Sequence, residues 1–410
     1  MYAHLSDEGD AMLGSGTTEE FIQKEFEELN LKDKRLNSRA LEIYKALEER
    51  STSCIKRLFI SGSDMRQAYD FFSNPKVSGN ALIKPHYTKT AERVGQVKSK
   101  YILSIQDNTI LNFTSHKSKT ELGRIGSGKT DQYGTIQHST ILVTDTNEPL
   151  GIIDLQHFDY DDFDQPIDRH KKSIEEKHGI VWMNASRNRR KRLSEALTQK
   201  VITVCDRAGD FFDFLYDLYS NNESYVIRAE HDFVIGEKHS KESPSLFKEI
   251  ENGPVLGEIK TAINDVDRHQ VKEISLSIKR LEKIAIPPTE HSDNENYKPL
   301  TLNAVKAYNE TYSWILLADL PVDSLADCEE IIRIYKSKWH IEDYHKILKT
   351  AYHIDEVYLH SSKQAIINAL TMISISGCRL YWIIYTGRIE LIPQANELFE
   401  EYEWKRNLSG

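Results

Sequence analysis

The chain has 410 residues, of which 39% are hydrophobic and 28% are charged, with 19 glycines and 11 prolines. These fractions are typical of a globular protein of two or three domains, and they exclude collagen, low-complexity chains and disulfide scaffolds. The 53 Lys and Arg residues against 63 Asp and Glu residues give a formal charge of −10, which excludes a uniformly basic nucleic-acid binder but not local basic patches.

Cysteine usage and apolar segments bear on the cellular compartment. The four cysteines form no CxxC pair, so the sequence predicts buried thiols in a reducing environment. No basic start followed by an apolar run is visible near residue 1. The longest apolar stretch, residues 369–385, is interrupted by Arg379 and is shorter than the roughly 20 residues of a membrane span. A cytoplasmic protein with no membrane partner is therefore expected.

The first predicted elements are helices. Residues 19–50 repeat apolar side chains near the helical period, with Asp33 as the cap of a second helix, and residues 64–95 predict two more short helices broken at residues 74–75. Cations are unfavourable at a helix start unless phosphates are near, so the basic cluster there indicates a phosphate partner, with a solvated face as the alternative. That cluster contains Lys32, Lys34, Arg35 and Arg39.

From residue 100 the pattern changes to strands with interleaved helices. Short apolar runs predict strands at residues 101–106, 109–113 and 201–205, and a hairpin over 135–144 and 150–158. Residues 167–198 and 211–219 predict helices, residues 224–320 are strand-rich, and residues 326–349 return to helix. This order predicts an α/β fold with a β-rich insertion.

One segment has the spelling of a nucleotide-binding P-loop. Residues 123–130 read Gly-Arg-Ile-Gly-Ser-Gly-Lys-Thr, which fits G-x-x-x-x-G-K-[ST]. The motif requires a strand before it and a helix after it, whereas this segment follows polar residues and leads into a strand. The expectation is a glycine-rich loop and no nucleotide cofactor, with a P-loop NTPase as the alternative.

Two aspartates follow predicted buried strands. Asp107 comes after residues 101–106, and Asp206 comes after residues 201–205. Acids at strand ends lie where α/β sheets bind ligands, and two of them on neighbouring strands are able to share a divalent cation. Carboxylate oxygens suit Mg²⁺ or Mn²⁺. Each aspartate taken alone is more typical of a turn.

A third acid is on the predicted helix of residues 326–349. Tyr335, Lys338, Glu342 and Lys349 are spaced by three, four and seven residues, which places them on one helical face. This mixture is not typical of a core face, so Glu342 is a candidate metal ligand and the other three are candidate phosphate contacts. The alternative is a surface helix in which Glu342 pairs with lysines.

These segments together resemble a known family. The strand end at Gln106-Asp107, the Cys205-Asp206-Arg207 segment and the helix from Tyr335 to Lys349 are similar to the DDE transposases of transposon five and its insertion-sequence-four relatives. The family signature is Tyr, two residues, Arg, three residues, Glu, six residues, Lys. This chain matches three of the four positions, with Lys338 where the family has Arg.

The resemblance implies a ribonuclease-H-like mixed-sheet catalytic core with a β-rich insertion, preceded by a small helical DNA-binding domain. The implied boundaries are a tail at 1–18, the DNA-binding domain at 19–95, the first part of the core at 96–223, the insertion at 224–322, the last part of the core at 323–365 and a shortened helical C-terminal region at 366–410.

The resemblance also implies the chemistry and partners. Asp107, Asp206 and Glu342 would bind Mg²⁺, or Mn²⁺ in its place. The chain would nick transposon ends, form and open a DNA hairpin, and join 3′-hydroxyl ends to target DNA, as a homodimer when bound to double-stranded DNA. An insertion-domain tryptophan receives a flipped base in this family, and Trp314 stands at the matching place, with a core tryptophan as the alternative. A bacterial, nucleoid-associated location follows.

Further DNA contacts are expected at local basic positions. Arg228 lies in a stretch that resembles the family, and Arg189 and Arg190 belong to the basic run of residues 187–192. Two departures from the family pattern leave alternative functions open. Lys338 is a weaker clamp on phosphate than arginine, and little sequence follows residue 385. A truncated, non-catalytic DNA-end-binding or inhibitory relative is the first alternative, and a structure-specific nuclease is the second.

Overall fold

The computed structural model describes residues 17–115, 121–126, 131–163, 172–193, 197–236, 243–265, 270–288, 297–357 and 362–398. Almost all of the predicted tail, the Lys129 position of the P-loop spelling and the last 12 residues lie outside these ranges.

The N-terminal region is helical, as predicted. Its helices are α1 (Thr18–Glu25), α2 (Lys34–Arg50), α3 (Ile55–Leu58), α4 (Gly62–Phe72) and α5 (Gly79–Gln96). Asp33 caps α2, because its carboxylate accepts a hydrogen bond from the backbone N–H of Arg35 at 3.0 Å. The predicted break at residues 74–75 separates α4 from α5.

The strands of the described residues form one nine-stranded sheet of order β3-β2-β1-β4-β5-β9-β8-β7-β6. Strands β1, β4 and β5 are parallel, and the other neighbouring pairs are antiparallel. The strands are β1 (Tyr101–Asn112), β2 (Gly134–Thr144), β3 (Pro149–Phe158), β4 (Lys200–Cys205), β5 (Ser224–Arg228), β6 (Gly257–Asp265), β7 (Gln270–Ile286), β8 (Leu300–Tyr308) and β9 (Ser313–Ala318).

The sheet corrects one expectation from the sequence. The two strands expected at residues 101–106 and 109–113 are a single strand, β1, because its pairing with β2 continues from Ile102 to Asn112. The strands of the β-rich segment belong to the same sheet. Strand β9 pairs with β5, with Ile227 opposite Leu317, so β6 to β9 extend the sheet that contains β1 and β4. The hairpin expected before residue 160 is confirmed as β2 and β3.

Six further helices lie in the described part of the chain. They are α6 (Ile180–Leu193), α7 (Phe212–Ser220), α8 (Leu246–Asn252), α9 (Leu325–Lys336), α10 (Trp339–Thr350) and α11 (Lys363–Leu398). The helix expected over residues 167–198 is shorter, since α6 begins only at Ile180.

The helix expected over residues 326–349 is broken into α9 and α10 at Ser337 and Lys338. Both residues keep right-handed helical angles, but the backbone N–H groups of Ser337 and Lys338 bond to Ile334 and Tyr335, three residues back. Such tight turns interrupt the α-helical ladder. The Ser337 hydroxyl also binds the Asn147 side chain at 2.6 Å, which anchors the break to the β2–β3 turn.

Helix α11 packs against α5, α10 and β3. Residues 363–387 form a helical segment long and apolar enough to cross a bilayer. However, 78% of its apolar 18-residue stretch is buried inside the protein, as in the core helix of a folded domain.

Candidate functional site

The register of the parallel strands brings the two predicted aspartates together. Ile105 of β1 is opposite Val204 of β4, and this is the last pair of that ladder. Asp107 and Asp206 each come two residues later, so they lie side by side on one face at the same edge. Asp107 is inside β1 rather than after it, because β1 continues beyond β4 by pairing with β2.

Helix α10 carries Glu342 to the same place. It packs on β1 and β2, and the amino group of Lys338 at its start lies between the three acids. The Lys338 Nζ atom is 2.9 Å from Asp107 Oδ2, 3.0 Å from Glu342 Oε1 and 4.0 Å from Asp206 Oδ2. No two of these oxygens are farther apart than about 7 Å, the sum of the two longest distances. The three acids therefore converge.

Burial and charge set the protonation preferences of this cluster. Burial raises the pKa of Asp107 above its usual value; the Lys338 ammonium opposes this shift and the neighbouring Asp206 adds to it. Burial alone would lower the pKa of Lys338, but Asp107 and Glu342 outweigh it and raise that pKa. Lys338 therefore stays protonated as the counter-ion of the acids.

The donor chemistry of the cluster suits a hard divalent cation. Its side chains offer carboxylate oxygens, and two of them are fixed by the backbone: Asp107 accepts from the N–H of Asn108 at 2.8 Å and Asp206 from that of Ala208 at 3.0 Å. In the part of the chain that the structure describes, no group of three His, Cys, Asp or Glu side chains is arranged to hold a metal ion. Here the Lys338 ammonium takes the place between the acids.

Tyr335 lies near Asp206, with Arg228 and Trp314 beside it. Tyr335 is buried, and burial raises its pKa while the neighbouring cations Arg228 and Lys338 oppose the shift. The rings of Tyr335 and Trp314 are 6.1 Å apart. Trp314 is partly buried against the core. Its ring is therefore less exposed than a free base-stacking platform and more exposed than a fully enclosed core residue. Tyr335 is less accessible than its predicted helical face implied.

The remaining predicted phosphate contacts differ in how free they are. Lys349 is half-buried on α10, two turns after Glu342. Lys32 and Arg35 are exposed beside the start of α2, whereas Arg39 is paired with Glu42 at 2.7 Å and with Gln67. Of these three predicted contacts, Lys32 and Arg35 are therefore the two that face solvent at the start of α2.

Two arginines of the basic run on α6 are bound within the protein. The Arg189 side chain is only 1% exposed, and its guanidinium binds Thr203 at 2.7 Å and Glu223 at 2.5 Å. Arg190 pairs with Asp217 and Glu223, each at 2.9 Å. The prediction that Arg189 contacts DNA is wrong, because its donors join α6 to β4 and to the residue before β5. Arg190 is part of the same network and also joins α6 to α7.

The segment with the P-loop spelling is followed by a strand. Residues 127–130 lie outside the described residues, but Arg124 bridges to Tyr133, and β2 begins at Gly134. Glycine is needed at position 123, where an added Cβ would clash with Asp159 at 2.2 Å. The described flanks resemble a hairpin more than a strand–loop–helix phosphate site.

A buried polar network that the sequence did not reveal supports the site. His138 binds Asn108 at 2.7 Å, and His345 on α10 binds Ser139, the strand partner of Asp107, at 3.2 Å. Burial lowers the pKa of His138 and of His345 to about 3, so both imidazoles are neutral. The network fixes α10 on the sheet one turn beyond Glu342. Isolated histidines in a sequence do not indicate that they will join such a buried network.

The loops after β4 and β5 are also joined near the site. Asp210 is buried, and its Oδ2 accepts from the backbone N–H groups of Glu230 and His231, at 2.6 and 2.7 Å. The same oxygen lies 3.5 Å from the His231 imidazole, whose side chain is 60% exposed. This contact holds the loop that follows Asp206 against the end of β5.

We expect the stabilising contribution of His231 to depend on pH. The hydrogen bond that the His231 imidazole donates to the Asp210 carboxylate raises the pKa of His231 above 6.5. The contribution is thus fully present below about pH 6.5 and is lost as pH rises through the folded-state pKa. Melting temperatures of the wild type and His231→Gln should differ most at pH 5.5 and converge by pH 9. A difference that stays constant over this range contradicts the assignment.

The helical region before the sheet matches a known domain. Residues 18–77, which contain α1 to α4, match the family model described as transposase DNA-binding. This match supports a transposase, a DNA-processing protein whose partner is DNA, with α1 to α4 as the part that resembles a DNA-binding domain.

Proposed function

We propose that this protein is a cut-and-paste DNA transposase of the DDE type, as its resemblance to the transposon-five and insertion-sequence-four proteins implies. The observation that carries the proposal is the convergence of Asp107, Asp206 and Glu342 on one ammonium group, from positions 99 and 136 residues apart along the chain. Acids so distant in sequence have no local reason to meet. The match of residues 18–77 to a transposase DNA-binding domain supports DNA as the partner.

The order of the sheet supports a ribonuclease-H-like core. The segment β3-β2-β1-β4-β5 has β1, β4 and β5 parallel and β2 antiparallel to them, which is the arrangement expected of that fold. Asp107 and Asp206 lie just past the carboxyl end of the parallel β1–β4 pairing, where ligands of α/β sheets bind, and Glu342 reaches the same place from α10. In this proposal β6 to β9 are the β-rich addition before the helix of the final acid.

Asp107, Asp206 and Glu342 are the residues that would hold Mg²⁺ or Mn²⁺. Such ions, when bound, would activate the attacking oxygen and stabilise the leaving oxygen in an in-line displacement at phosphorus. The chain's own residues orient the DNA. Arg228 and Lys349 bind phosphate oxygens, and Tyr335, held by Arg228, positions the strand beside Asp206.

Successive attacks on phosphodiesters need only this one site. Water cleaves one strand at the transposon end, the 3′-hydroxyl released attacks the opposite strand to close a hairpin, water opens the hairpin, and the 3′-hydroxyl joins target DNA. Each step exchanges one oxygen for another on phosphorus, so no oxidant or other co-reactant is required. The exposed Lys32 and Arg35 of the helical region bind the DNA backbone outside the cleavage site.

The test is a cleavage assay with the whole chain. Labelled DNA carrying the inverted repeats that flank the gene is incubated with the protein and Mg²⁺, and products are separated on denaturing gels. Nicked, hairpin and joined products support a transposase. Nicked ends without joining indicate a nuclease, and binding without cleavage indicates the non-catalytic relative; either outcome overturns the proposal.

Trp314→Ala is expected to impair hairpin formation more than nicking. Stacking of a base on an aromatic ring contributes about 1–3 kcal/mol, which corresponds to a roughly 5- to 150-fold slower hairpin step. The ring already faces Tyr335 beside the acids. Hairpin and nick yields are measured on the same gel, with Tyr308→Ala on neighbouring β8 as the control. Equal losses in both steps would mean that Trp314 only packs the core.

A further inference from the structure

The amino group of Lys338 occupies the space where a cation shared by the three acids would lie. Its side chain is buried, and its Nζ atom is within 3.0 Å of two of the acids and 4.0 Å of the third. Lysine is a compact, strongly hydrated point charge that is rarely buried without partners. Here the partners are the proposed metal ligands themselves.

An ammonium and a divalent cation cannot both use these oxygens in this way. A magnesium ion takes carboxylate oxygens at about 2.0–2.1 Å with near-octahedral geometry, whereas the ammonium holds them by hydrogen bonds of about 3 Å. Without any cation, three carboxylates within about 7 Å of one another would repel. A positive group between the acids relieves that repulsion, and the ammonium and a metal ion compete for the same oxygens.

We propose that Lys338 is a positioning residue that holds Asp107, Asp206 and Glu342 together in the metal-free protein and is displaced when the metal binds. This inference rests on the proposed function, and it adds a step in which the metal ion replaces the Lys338 ammonium. Metal binding breaks the three contacts of the Lys338 ammonium and releases that group from between the acids.

The exchange predicts opposite effects of one substitution on stability and on metal affinity. Lys338→Gln removes the competing charge, so the metal-free protein melts at a lower temperature while Mn²⁺ binds roughly tenfold more tightly. Lys338→Arg keeps a cation between the acids, so its Kd for Mn²⁺ stays at or above that of the wild type. Lys248→Gln, which changes an exposed lysine on α8, changes neither quantity.

The experiment measures melting temperature after EDTA treatment and Mn²⁺ binding by titration calorimetry, for the wild type and the three variants. If the Lys338→Gln protein unfolds without metal, Mn²⁺ is added to it, and recovery of the fold supports the exchange. Failure to recover, or unchanged or weaker Mn²⁺ binding by a folded Lys338→Gln protein, overturns it. If the exchange is overturned but the wild type still binds Mn²⁺, the proposed function stands. If neither the wild type nor any variant binds Mn²⁺, the exchange and the proposed function are both overturned.

Discussion

Asp206→Asn is expected to abolish DNA cleavage while leaving DNA binding in place. Asparagine keeps the shape of the side chain and its hydrogen bond from Ala208, but it removes one charge from the site proposed to hold Mg²⁺. Loss of several kcal/mol of transition-state stabilisation corresponds to a cleavage rate at least roughly 10³-fold lower. Nicking of end-containing DNA and mobility-shift binding are measured on the same preparations.

Asp206 is a sharper test than Asp107, because it is more exposed and is not inside a strand. Asp107 is buried and its pKa is raised, so Asp107→Asn changes folding energetics as well as the site. Glu329→Gln, an exposed acid on α9, is the matched control and should cleave normally. Cleavage by Asp206→Asn at more than a tenth of the wild-type rate would remove Asp206 from the catalytic machinery.

The sequence revealed the acids because each had a local reason for its place. Asp107 and Asp206 came after apolar runs of similar length, and parallel pairing of those runs then aligned them. The helical spacing of Lys338 and Glu342 kept them one turn apart, and the helix break at Ser337 and Lys338 does not alter that relation. Short-range periodicity therefore carried most of the information about the candidate site.

What the sequence did not reveal depends on distant partners. A run of five basic residues gives the same pattern whether it faces solvent or faces the acids of another helix, and only the contacts of Arg189 with Thr203 and Glu223 decide between them. The continuity of the sheet has the same origin. Nothing in residues 224–320 indicates that β9 pairs with β5, since that pairing joins segments about 90 residues apart.

Arg379→Met is expected to lower the free energy of unfolding by about 3–5 kcal/mol, the cost of leaving a buried charge without its partner. The Arg379 guanidinium is 2.7 Å from Glu48, and both side chains are 5% exposed. Arg379 also lies over the Phe21 ring, so one residue of α11 holds both α1 and α2. The loss is measured by urea denaturation followed by circular dichroism.

The pH dependence of this loss follows from the acid left behind. Burial raises the pKa of Glu48 even with Arg379 present. A carboxyl with a raised folded-state pKa is least costly when protonated, so the deficit of Arg379→Met should shrink as pH falls from 7 towards 5. Denaturation at both pH values tests this sign. A larger deficit at pH 5 would contradict it.

The double substitution separates the pair from the packing around it. Glu48→Met with Arg379→Met removes both buried charges and keeps apolar volume, so most of the stability should return. Lys45→Met, which breaks the exposed Lys45–Glu19 pair between α1 and α2, should change the stability little, because water screens an exposed pair. Helix α11 also packs against α5 and β3, and these contacts remain when the pair is removed, so a single cooperative transition is expected in every variant. A separate early transition in Arg379→Met alone would mean instead that this pair is what makes the helical region and the sheet unfold together.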